Sequence, residues 1–221
     1  MVGGNSALIS EQRKQGRTCF FYDLQDDAWS RGPSLQQARW NHGLVRLGDV
    51  LYAVGGCGQQ NSMEALSLAD LESGWAPRPP MNERRYVPGV GVLDGLIYVV
   101  GGADSQWSPQ RTVECFHPGA LFRLLGVFRS IIKFSFSGEN VWSSLPELHC
   151  PRAQPTVAGL GGFLFVMGGR NSKKVELKSV EYFDPLTNVW TLLEDGLKKK
   201  RAAAASVAFR EDELLVIGGR S

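Results

Sequence analysis

No stretch of about 18 or more uncharged apolar residues occurs in the 221-residue chain, so a helical membrane span is not expected. Cysteine is scarce. Cys19, Cys57, Cys115 and Cys150 stand 38, 58 and 35 residues apart with no Cys-x-x-Cys, which excludes a dense disulfide framework and a cysteine-based zinc site. An excess of one charge is missing too: 24 Lys+Arg face 22 Asp+Glu, and binding driven by nucleic-acid phosphates needs a larger basic surplus. Met1-Val2-Gly3-Gly4 does not open a basic segment followed by an apolar one, and no Asn-x-Ser/Thr acceptor is present. A reducing setting, cytoplasmic or else nuclear, is therefore expected.

Enzyme signatures are equally thin. There is no Gly-x-Ser-x-Gly and no P-loop, and Gly89-Val90-Gly91-Val92-Leu93-Asp94-Gly95 has the wrong spacing for a dinucleotide fingerprint. Of His42, His117 and His149, the first and last fall near the same kind of loop but lack a third ligand. Neither a metal site nor a cofactor is expected.

What the chain has in surplus is glycine: 26 residues, about 12% against a usual ~7%. Ten of them form the pairs Gly3-Gly4, Gly55-Gly56, Gly101-Gly102, Gly168-Gly169 and Gly218-Gly219, and the last four pairs each follow a short apolar run. A sixth pair, Gly161-Gly162, is off-phase. Trp29, Trp75, Trp142 and Trp190 stand between successive in-phase pairs. From each Trp to the next pair the distance is 26, 26, 26 and 28 residues, whereas from each pair to its Trp it is 26, 20, 41 and 22. Half of the repeat is thus fixed in length and half is variable.

Each unit holds about four β-prone stretches. In the best-preserved unit they are 156–160, 163–167, 180–183 and 189–192, separated by turns at Gly161-Gly162, at 170–174 and at Asp184-Pro185-Leu186-Thr187. Four strands per ~50 residues describe one blade of a β-propeller. The doubled glycine ends the second strand, where a missing side chain permits positive φ and close backbone approach.

These residues resemble the kelch repeat: a Gly-Gly after the second strand, a Tyr in the third and a Trp in the fourth. The segment Val180-Glu181-Tyr182-Phe183-Asp184-Pro185 through Val189-Trp190 is a close match, as is Trp75 through Pro80-Met81 to Arg84-Arg85. The run from Pro80-Met81 to Gly89-Val90-Gly91-Val92 is most similar to the kelch-like, BTB-linked branch. Leu68-Ala69, Cys115 and His117 depart from the pattern. The resemblance implies an all-β, kelch-type propeller of about four blades' worth of four-stranded sheets. It would comprise a third-and-fourth-strand pair (1–39), full blades at 40–85, 86–152 and 153–201, and a first-and-second-strand pair (202–221).

Two irregularities interrupt the period. His117 to Trp142 is 25 residues where Asp184 to Trp190 is 6, a surplus of 19 that removal of 119–137 restores. Arg123, Arg129 and Lys133 argue against a membrane segment there. An amphipathic lip and a translated intron both fit, and the clean rejoining of the two half-turns favours the intron. The second irregularity is at the ends. Gly3 to Gly218, less the surplus, is 4 × 49 residues, so the two end pairs either close a four-blade ring or belong to a larger incomplete one. We expect the latter, with exposed strand edges.

Variable loops on a rigid scaffold carry recognition. The connections between second and third strands (5–17, 57–63, 103–111 and 170–179) vary in length, and they share one face with the linkers between blades. The linkers carry Arg39, Arg85 and Arg152 at a repeated position, which reads as structural. Trp40, Asn41, Tyr86 and Gln154, together with Arg170 and Asn171 after a Gly-Gly, are the expected partner-binding residues. Lys198-Lys199-Lys200-Arg201 reads as a solvated loop. Cys150, beside Arg152, is the candidate for a thiol of lowered pKa. The resemblance implies a non-catalytic protein-interaction module: the substrate-recognition domain of a kelch-like adaptor for a cullin-type ubiquitin ligase, an actin-associated or scaffold protein, or, in a different class, a kelch-fold enzyme acting on sugars. The expected partner is a protein, not a nucleic acid or a membrane.

Overall fold

The computed structural model describes residues 16–58, 60–119 and 140–221. Sixteen strands and no helix occur among them. β3(Gly43–Leu47), β4(Val50–Val54), β5(Met63–Ser67) and β6(Ala76–Arg78) form one antiparallel sheet in sequence order. The same up-and-down order recurs in β7(Gly89–Leu93), β8(Leu96–Val100), β9(Val113–His117) and β10(Val141–Leu145), and again in β11(Thr156–Leu160), β12(Phe163–Met167), β13(Val180–Asp184) and β14(Val189–Leu193). Two-stranded sheets flank them: β1(Phe20–Asp23) with β2(Ala28–Arg31), and β15(Ala202–Arg210) with β16(Glu213–Arg220). The end pairs remain separate sheets, so the propeller is partial and its ring stays open.

Sequence decides where each strand stops. Among the described residues the Gly-Gly pairs adopt positive φ on both residues, +62° and +95° at Gly168 and Gly169, a region that L side chains rarely adopt. A Cβ on Gly168 would also strike the carbonyl of Arg201 on the next linker. Small residues on the first strands let the sheets converge: a Cβ on Gly91 of β7 would sit 2.6 Å from the Val157 side chain of β11.

The core lies between sheets rather than within one. Leu93, Tyr98 and Val100 of the second full sheet pack against Val157, Leu164, Val166, Phe183 and Trp190 of the third. An equivalent layer joins Tyr52, Val54 and Met63 of the first to Ile97, Val99 and Phe116 of the second. Each layer contains an aromatic triad: Tyr52–Phe116–Trp142 in one, with centroids 6.4 and 5.1 Å apart, and Tyr98–Phe183–Trp190 in the other, at 6.3 and 5.0 Å. The indole N–H groups of Trp75 and Trp190, which are buried, and of Trp142, which is half-buried, donate to a carbonyl of the preceding linker, Pro33, Pro146 and Pro79 respectively, at 2.8–3.1 Å. Trp29, on the first pair, meets the Tyr22 ring at a tilt of 48° but is 63% exposed.

The register across the long third repeat is intact. His117 pairs with Val141 at the close of β9–β10, as Asp184 pairs with Val189 at the close of β13–β14. The separations are 24 and 5 residues, and their difference is the 19-residue surplus. The surplus itself, beyond Gly119, lies outside the described residues, as does most of the loop 5–17.

Candidate functional site

The linker from the last strand of one sheet to the first strand of the next ends alike in every unit: Leu35 to Arg39, Met81 to Arg85, Leu148 to Arg152, Leu197 to Arg201. Two backbone N–H groups hold it to the sheet it leaves; Met81 donates to Asn61 (2.8 Å) and Arg85 to Gln60 (2.9 Å). The arginine side chain reaches into the sheet being joined. Arg152 donates to the carbonyls of Gly168 (2.8 Å) and Ser179 (3.0 Å) and to Glu181 Oε1 (3.0 Å). Arg85 repeats this on Gly101, Thr112 and Glu114, and Arg39 on Gly55, Ser62 and Glu64. All three arginines and all three glutamates are buried. Each carboxylate accepts two more N–H groups from the same linker: Gln36 and Gln37 on Glu64, Asn82 and Glu83 on Glu114, His149 and Cys150 on Glu181, at 2.6–3.3 Å. The arginines are thus structural, with every charge paired and hydrogen-bonded.

This clamp fixes the linkers against the loops between second and third strands. The residue after each arginine makes a β-bridge to the residue after each Gly-Gly: Trp40 to Cys57, Tyr86 to Ala103 and Ala153 to Arg170. The two sets of loops therefore meet at one end of the sheets. The expected recognition residues occupy two different backbone positions there. Trp40 and Tyr86 stand first after the arginine and are half-buried; Asn41 and Gln154 stand second, with φ of +53° and +56°. Val87 and Ala203 share the second position, at +46° and +56°.

Tyr86 is the anchor of the most exposed aromatic feature on this face. Its ring stacks on Trp107 at a centroid distance of 5.2 Å, and its hydroxyl accepts from the Gln60 side-chain amide of the neighbouring sheet at 2.8 Å. Trp107 is 58% exposed. Its loop is shaped by Asp104, whose carboxylate accepts the N–H groups of Gln106 and Ser108. Sequence reasoning did not single out Trp107. The signal was available, because Trp40 and Trp107 are the two of six tryptophans outside the repeated fourth-strand position.

The other expected residues are tied into the scaffold. Gln154 receives a hydrogen bond from Arg220 and its N–H donates to Val87 O at 3.1 Å. Arg170 donates to Lys174 O at 2.9 Å and lies 3.8 Å from Glu176. Asn171 spends its side-chain oxygen on the N–H groups of Lys173 and Val175, so it organises its loop rather than presenting an open acceptor. Lys173, Lys174, Lys198, Lys199 and Lys200 are exposed and give this side a basic rim.

Histidine and cysteine chemistry does not converge. Among the described residues no group of three or more His, Cys, Asp or Glu could hold a metal ion. His149 Nδ1 is 2.9 Å from Glu181, and His42 is pushed down to about 4 by burial and by the Arg39 guanidinium. Cys57, in the loop after Gly55-Gly56, is buried, as are Cys19, just before β1, and Cys115, in β9. Cys150 corrects the expectation of an activated thiol: burial raises its pKa and Arg152, already engaged by Glu181, offsets that only in part.

Comparison with known proteins agrees with this architecture. The model of the kelch motif matches residues 84–120 and 151–196. An F-box/kelch-repeat protein of Arabidopsis thaliana is 37% identical over 82 residues, 37% of this chain and 21% of its own length. Kelch-like protein 9 of Mus musculus is 34% identical over 84 residues, 36% of this chain and 13% of its own. For Kelch-like protein 31 of Danio rerio the figures are 30% over 89 residues, 38% and 14%. The matched stretches thus span no more than about a fifth of these relatives. With its Gly-Gly-ended second strands, fourth-strand tryptophans and matched motifs, the chain carries a kelch-repeat domain like those of the kelch-like proteins.

Proposed function

We propose that the chain is a non-catalytic module that binds another protein through the loop face centred on Tyr86 and Trp107. The stacked, half-exposed aromatic pair carries this reading. Large, rigid aromatics on loops held by buried clamps lose little conformational freedom on binding, and such residues dominate interface energetics. Trp40, Asn41 and Gln154, with Arg170 and Asn171, belong to the same two sets of loops on other sheets and are proposed to extend the surface, and the lysine rim suits a partner with acidic side chains. The kelch motifs and the kelch-like relatives support an interaction role.

By resemblance to kelch-like proteins, the finer reading is a cytoplasmic adaptor domain that selects substrates for a cullin-type ubiquitin ligase. That step rests on fold analogy. Affinity capture with the wild-type chain, Trp107→Ala, and a control on the opposite turns, Leu186→Ala, tests the site. A protein retained by wild type and by the control, and bound at least about tenfold more weakly by Trp107→Ala, supports it. Equal binding by all three chains would remove the loop face from consideration. The ligase role requires in addition that the captured protein be ubiquitinated in cells in a manner dependent on this protein.

A further inference from the structure

The loop that carries Trp107 has a twin one sheet further on. In the first, Asp104 N donates to Ser108 O and Trp107 N to Asp104 O, both at 3.0 Å, and Asp104 Oδ1 accepts Gln106 N at 2.8 Å and Ser108 N at 2.9 Å. In the second, Asn171 N donates to Val175 O at 3.0 Å and Lys174 N to Asn171 O at 2.9 Å, while Asn171 Oδ1 accepts Lys173 N and Val175 N at 3.0 and 3.1 Å. Trp107 and Lys174 occupy the same left-handed position, with φ of +60° in each. A bulky residue holds that conformation only where its surroundings over-determine it. Here the side-chain oxygen at the head of the loop does so, and the neutral amide of Asn171 serves as well as the carboxylate of Asp104. Two differences set the first loop apart. Its acceptor is charged, and residue 108 is an exposed serine followed by Pro109, the single Ser-Pro or Thr-Pro step in the 221 residues. Val175-Glu176 stands at the equivalent place.

We propose that Ser108 is a phosphorylation site for a proline-directed protein kinase, and that the phosphate releases Trp107 from Tyr86. Pro109 disfavours the helical region for Ser108, so the hydroxyl is offered from extended backbone on an exposed loop. In the transfer Ser108 Oγ forms a bond to the γ-phosphorus of ATP, and the bond from that phosphorus to the β–γ bridging oxygen breaks. ADP leaves, and the hydroxyl proton passes to the catalytic carboxylate of the kinase. The product carries about −1.5 to −2 charges at neutral pH. It stands on the residue whose N–H is 2.9 Å from the Asp104 carboxylate, so like charges face each other across one turn. A carboxylate repelled from this place no longer accepts from Gln106 and Ser108. Trp107 then loses the support of its left-handed backbone, and the stack on Tyr86 at 5.2 Å opens. The effect on partner binding rests on the docking role proposed for Tyr86 and Trp107; the change in the loop does not.

The whole chain, incubated with ATP and a proline-directed serine/threonine kinase, tests the site. Peptide mass spectrometry should place a phosphate on Ser108, and the Ser108→Ala chain should lack it. Hydrogen exchange at the amides of 106–108 should then quicken about tenfold or more. On the Asp104→Asn chain the phosphate meets a neutral acceptor, as in the loop 171–175, and the gain should stay under about threefold. The amides of Lys173 and Val175 should keep their rates in every sample. A partner captured by the unmodified chain should bind the phosphorylated one about tenfold more weakly. A faster loop with unchanged partner binding would bear out the release of Trp107 and count against the aromatic face as the docking surface. No phosphate on Ser108, unchanged exchange at 106–108, or an equal gain on the Asp104→Asn chain would each overturn the proposal.

Discussion

Glu181 is buried and accepts hydrogen bonds from His149 N, Cys150 N and Arg152 Nε, with His149 Nδ1 at 2.9 Å. Removing it strands a buried guanidinium, so Glu181→Ala should lower unfolding stability by about 3–5 kcal/mol in urea titration. Asp49→Ala, which breaks the solvent-exposed pair with Arg46, should cost under about 0.5 kcal/mol. Equal losses would mean that the buried clamp contributes nothing special. His42 gives a pH signature. Its folded pKa, about 4, lies below the ordinary 6.5, so the unfolded chain binds the extra proton. Stability from this group is present above about pH 6.5 and drains as pH falls towards 4, by a few kcal/mol at most. The wild-type denaturation midpoint should fall through that window more steeply than that of His42→Gln; parallel profiles would exclude the linkage. The arginines of the clamp were legible because they recur at one distance before each first strand. Their glutamates were not, because the variable loop places them 8, 12 and 12 residues after the Gly-Gly pairs. The misreading of Cys150 has the same root: the neighbouring positive charge belongs to a partner 29 residues away.

Strands were legible where alternation met a hard stop. The apolar runs of β4, β8 and β12 end at glycines that the next linker crowds, so their boundaries are written in composition as well as in contact. Loop conformation was less legible, since the hydrogen bonds that shape it come from side chains such as Asp104 and Asn171 acting on their own turns. The tryptophans show what an element gains from its neighbour. Trp190 is buried against Phe183, and its N–H reaches Pro146 across the sheet boundary. Trp190→Ala should therefore cost about 3–5 kcal/mol, whereas Trp29→Ala, on an exposed pair, should cost less than about 1 kcal/mol. Comparable thermal shifts for the two variants would mean that the layers between sheets are not the main source of stability.

An open array of sheets, each touching only its neighbours, has stability that varies along its length. Hydrogen exchange should find the slowest amides in β8 and β12, which sit inside four-stranded sheets covered on both sides, and the fastest in β1–β2 and β15–β16. Uniform protection along the chain would contradict this. The clamp also imposes a direction on assembly. Each arginine precedes its glutamate by 25 or 29 residues. At a translation rate of about 5–20 residues per second, the cation leaves the ribosome roughly 1.5–6 seconds before the anion that neutralises it. During synthesis the newest linker is therefore always an unlatched hinge beside a naked guanidinium. Nascent chains at these stages are the ones on which a chaperone with acidic clefts would find its brief purchase.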